Sequence, residues 1–79
     1  MQSNGHRSVL AREVTDGARS VELVVNKRPA EGWDVRESRD GQVVHEVTYQ
    51  NWHRVELEMH RFSAEAAQLK RDGWREHEE

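Results

Sequence analysis

The side chains able to do acid–base or metal chemistry in this sequence are five histidines and fifteen acidic residues, with no cysteine beside them. His45 poses the sharpest question, set among valines in the stretch WDVRESRDGQVVHEVTYQNW that runs from Trp33 to Trp52. Strand alternation puts its ring on the same face as Trp33, Val43 and Val47, the face a hairpin would bury. General acid–base catalysis there would need a cleft and a third positioned group, such as a nucleophile. The inner face offers no Ser, Thr or Lys in an obvious place. Glu37 lies on that face one diagonal step away, so His45 reads as half of a structural histidine–carboxylate pair at the rim of a core.

The other chemistry-bearing residues form weaker patterns. His60 and Glu58 share a face at strand spacing, but His53 has the opposite parity, and two ligands seldom make a transition-metal site. No metal and no cofactor is expected. His6 and His77 fall in the terminal segments. On the outer sheet face, Asn26, Asp34, Glu46 and Glu56 line up across four strands, with Glu58 one row away. Facing like charges cost a few tenths to about 1 kcal/mol. The row is therefore either a solvated face or a contact surface for a basic partner; Mg²⁺ or Ca²⁺ would prefer clustered loops to flat strands. Tyr49, Trp52 and His53 gather at one end, with Trp52 in a loop, as aromatic hot spots often are.

The elements that would position these residues follow from the apolar pattern. Residues 1–8 read as a flexible lead. Asp16-Gly17 is a hairpin signal between residues 9–14, readable as an additional edge strand or a short helix, and a clean strand at 20–27. KRPAEG is a turn, with Pro29 fixing φ. The next strand carries Trp33 and Val35 inward. A three-residue RDG loop then pairs Glu37 with Val43, Val35 with His45 and Trp33 with Val47. A two-residue loop at Asp40-Gly41 would slip the register by one and turn every side chain over. The alternation of Val55, Leu57 and Met59 reads as a fourth strand over 54–61.

A helix comes last. Ser63 is its expected N-cap, Ala66 and Leu69 face the sheet, and Gly73 is the left-handed stop. Leu69 and Trp74 then stand at the two positions whose side chains meet in a Schellman ending. Residues 75–79 read as an acidic tail. The fold expected is one α+β domain over residues 9–74. It is a four-stranded antiparallel meander, with residues 9–14 as an optional fifth strand at its N-terminal edge, covered on one face by a single C-terminal helix.

Length and composition bound the function. Seventy-nine residues make one small domain, which buries only about 60% of its unfolded surface. Absent cysteine excludes disulfides and thiolate metal sites. With no signal-peptide pattern and no membrane span, the expectation is a soluble cytoplasmic protein. The formal charge of −3 leaves no basic stripe of the kind phosphate binders carry. In topology alone the expected fold is similar to sheet-type DNA readers such as integrase arm-binding domains, but those carry basic and aromatic residues where this sheet is acidic.

The reading is a non-enzymatic protein-interaction or regulatory accessory module, using Asp34, Glu46, Glu56, Glu58 and Trp52. A thin core and two sheet edges favour a homodimer. The alternative is a nucleic-acid-binding module using Lys27 and Arg28 in the NKRP loop with Arg36 and Arg54. An enzyme ranks last, for want of a nucleophile–base pair or a phosphate-cradling glycine loop.

Overall fold

The computed structural model describes residues 7–78. Its elements are β1 (Arg7–Thr15), β2 (Ser20–Arg28), β3 (Gly32–Arg39), β4 (Gln42–Tyr49), α1 (Trp52–Arg71) and β5 (Arg75–Glu78). The strands form one antiparallel sheet in the order β4-β3-β2-β1-β5, and the single helix packs on one face. This is the expected α+β class. Residues 1–6 of the expected lead lie outside the described residues, whereas residues 7 and 8 already belong to β1.

Four details of the expected architecture are corrected. Residues 54–61 are helix, not a fourth strand. The N-cap is Asn51, whose side chain accepts from the His53 N–H at 2.9 Å, so Ser63 lies in mid-helix. The N-terminal strand is interior, because residues 75–78 are not a tail but a fifth strand paired to its outer side. Finally, the β3–β4 loop has two residues: Arg39 pairs with Gln42, and Asp40 and Gly41 both have positive φ, at 53° and 83°. That is the signature of a type I′ turn, whose twist suits a hairpin.

The two-residue loop is tolerated because a β-bulge follows it. Ser38 pairs with Val43 and Glu37 with His45, leaving Val44 as the extra residue. Beyond the bulge the pairs are Val35 with Val47 and Trp33 with Tyr49, so the buried face is restored. Each partner on β4 lies two residues further along than a three-residue loop would place it.

Helix wins over strand at 54–61 because two periods compete there. Alternation buries Val55, Leu57 and Met59. A 3–4 spacing buries Trp52, Val55, Met59, Phe62, Ala66 and Leu69 on one continuous stripe. The structure takes the second: Val55, Phe62 and Ala66 are buried, and Leu57 is 52% exposed. The stripe meets Val14, Val21, Leu23, Val25 and Val35 from the sheet. At the C-terminus the Gly73 N–H donates to the Lys70 carbonyl and the Trp74 N–H to the Leu69 carbonyl. With Gly73 at φ 99°, this is the expected Schellman ending, and Leu69 and Trp74 both pack on the core.

Candidate functional site

The acidic row does not exist in the folded chain. Glu46 faces Arg36 across β3–β4, and Asp34 sits between Asn26 and Thr48. Thr48 Oγ1 donates to Asp34 Oδ1, and Arg28 Nη1 lies 3.4 Å from the same carboxylate. Glu56 is on α1, exposed, with His53 Nδ1 3.9 Å away. Opposite charges thus stand where a row of like charges was expected, because the bulge and the helix move Glu46 and Glu56 off the row.

Glu58 is turned the other way, towards the sheet. Its carboxylate accepts from Tyr49 Oη at 2.8 Å and from Arg61, and His45 Nε2 lies 3.4 Å away. Burial pushes the Glu58 carboxyl up, but the hydrogen bonds from Arg61 and Tyr49 outweigh it and hold it below the usual range. The same contact, helped by burial, raises the Tyr49 phenol. His45 pairs across the strands with Glu37, the one buried charged side chain among the described residues. Glu37 is met by Arg39 Nη2 at 2.9 Å and by Arg61 Nη2 at 3.6 Å, and Arg39 reaches on to Glu65 at 2.8 Å. His45 therefore belongs to a polar brace between helix and sheet.

The remaining sequence-selected residues are dispersed. Trp52 is not a loop aromatic; it opens α1 and packs edge-on against Trp33, with ring centroids 5.1 Å apart. Lys27 Nζ sits 4.4 Å over the Trp33 ring, and Arg28 pairs with Glu31 and Asp34. Arg54 is on the helix rather than the sheet. These cations form no common stripe. Among the described residues no three His, Cys, Asp or Glu side chains are placed to hold a metal, and no helix is long and apolar enough to cross a membrane.

A surface hollow of about 410 Å³ is lined by Thr15, Asp16, Gly17, Gly73, Arg75 and His77. Its carboxylate is committed to the β1–β2 turn. Backbone hydrogen bonds from Arg19 and Ala18, then the Arg19 side chain, hold Asp16 down at about 2. Thr15 Oγ1 donates to the Arg19 carbonyl, so the hollow presents no activated nucleophile.

The feature that sequence reasoning missed is the β4 edge. A fourth strand at 54–61 would have covered it; with those residues helical, β4 ends the sheet. Its outer row of backbone groups faces no strand among the described residues. Of its eight residues only Val47 and Tyr49 are half-buried, and the rest are exposed. Comparison of the chain with protein-family models, with curated proteins and with solved structures finds no match.

Proposed function

We propose that this protein is a non-enzymatic interaction module that recognises its partner by strand addition at the free edge of β4. One observation carries the reading. β4 is an eight-residue terminal strand in which Val43 and Val44 are 53% and 54% exposed, while the opposite edge is broken between the four-residue β5 and residues 7–11 of β1, which β5 does not cover. An open edge of that length is a template for another chain, and soluble proteins usually blunt such edges with lysine, proline or a bulge. β4 contains no Lys or Pro. Its single bulge, at Val44, protects only the end near the turn.

The test is capture from cell extract by the wild-type chain and by a Glu46→Lys, Thr48→Lys double variant, read by mass spectrometry. Both residues are exposed, so the fold should tolerate the change, and lysines on an edge strand oppose addition of another strand. A protein, copies of the chain itself included, that is held by the wild type and lost by the variant supports edge recognition. Identical sets held by both would remove it.

A further inference from the structure

We infer that the partner at this edge is a second copy of the chain, paired antiparallel through residues 45–49 with the two-fold axis at Val47. The inference rests on the strand-addition reading and makes it specific. Homodimers are overwhelmingly two-fold symmetric. An axis normal to the sheet pairs each β4 residue with one on the same face, so the axis must pass through a residue rather than between two. Few registers are then available.

Centres at Val44 or His45 run the pairing through the Val44 bulge, which disrupts the ladder. A centre at Glu46 sets Glu46 against its own copy, a like-charge pair. A centre at Thr48 keeps only residues 47–49 within the strand, because β4 ends at Tyr49. The centre at Val47 alone uses five strand residues and avoids both faults. It sets Val47 on Val47, Glu46 opposite Thr48 and His45 opposite Tyr49, the last two pairs each made twice. Valine, threonine and tyrosine are strong strand formers, and no like charges meet. The bulge marks where the pairing must stop.

Light scattering and a single-cysteine series test this directly, because the native chain has no cysteine to compete. The wild type should show twice its 9.3 kDa mass, falling to that of the monomer on dilution. Val47→Cys should link to itself under mild oxidation, its Cα atoms being about 4.5–5.5 Å apart. In this register Glu46→Cys and Thr48→Cys stand about 8 Å from their own copies, beyond a disulfide's reach of about 7 Å. They should link only when the two variants are mixed.

Self-linking at 46 or 48 in preference to 47 would overturn the register. A wild type that stays monomeric at high concentration would overturn the second copy as partner. Edge-dependent capture of some other protein would then still leave the strand-addition reading standing. A dimer whose mass is unchanged by the Glu46→Lys, Thr48→Lys variant and that links at none of these positions would remove both.

Discussion

Arg12 Nε donates to Glu76 Oε2 at 2.5 Å, tying β1 to the strand that follows the helix. The same guanidinium reaches Ser63 Oγ at 2.6 Å and lies 5.2 Å over the Phe62 ring. One inward arginine thereby holds β5 and the middle of α1 to β1. Lys70 Nζ joins from the last turn of the helix, 2.7 Å from Glu76 Oε1.

This ion pair should set part of the acid limit of stability. The Arg12 hydrogen bond, opposed by burial and helped by Lys70, holds the Glu76 carboxyl at about 2 against an ordinary 4.5. A carboxylate depressed in the folded state stabilises fully above its unfolded value and loses that contribution as pH falls through the folded one. The contribution should therefore be intact above pH about 4.5 and fade towards pH about 2. Glu76→Gln should cost about 1–3 kcal/mol near neutrality and flatten the acid limb. Urea midpoints across that range check it; an unchanged slope in the variant would contradict the linkage.

Phe62→Ala should cost about 3–5 kcal/mol by opening a cavity beneath the helix, whereas Leu57→Ala should stay within about half a kcal/mol. Phe62 is 3% exposed and Leu57 52% exposed. If residues 54–61 were a strand, Leu57 would be the costly residue. Chemical denaturation of the two variants distinguishes the cases.

Much of the sheet was legible because its signals are local. The alternation of Val21, Leu23 and Val25, the Asp16-Gly17 turn, and Gly73 with Trp74 each specify their own neighbourhood. What escaped depended on choices between valid patterns. Val55, Leu57 and Met59 fit both periods, and only the longer stripe from Trp52 to Leu69, opened by Asn51, decides for helix. The role of Arg12 had no local signal, because its partners at Glu76 and Ser63 lie 64 and 51 residues away. The acidic row followed from the three-residue loop and the misplaced strand together, and that strand also left Trp52 in a loop and hid the free β4 edge.

The β2–β3 connection should respond to substitution with opposite signs at two nearby positions. Gly32 has φ 103°, and a Cβ there would lie 2.1 Å from the carbonyl oxygen of Tyr49. Gly32→Ala should therefore destabilise by about 3 kcal/mol or more, through backbone strain and displacement of β4. Ala30, two residues earlier, holds φ 66° without a glycine. Ala30→Gly should relieve about 1–2 kcal/mol of left-handed strain, less about 0.4–1 kcal/mol of added unfolded-state entropy, leaving a small gain. Thermal melts of both variants check the pair; a stabilised Gly32→Ala would mean that β4 does not cross there.

Glu37 and Glu46 should separate a buried carboxylate from an exposed one by their response to salt. Glu37 is 5% exposed and meets Arg39 and Arg61, each of which keeps a second carboxylate, Glu65 or Glu58. Glu37→Gln preserves the shape and strands neither arginine, so the cost should be about 1–2 kcal/mol rather than the larger penalty of an orphaned buried charge. Being shielded from counter-ions, that cost should change little between low and high salt. Glu46 is exposed and faces Arg36, so Glu46→Gln should lose a few tenths of a kcal/mol at low salt and nothing measurable at high salt. The sign is the informative part. A row of facing carboxylates would make Glu46→Gln stabilising, whereas the bulged register with Arg36 opposite makes it destabilising, and melting curves at two ionic strengths tell them apart.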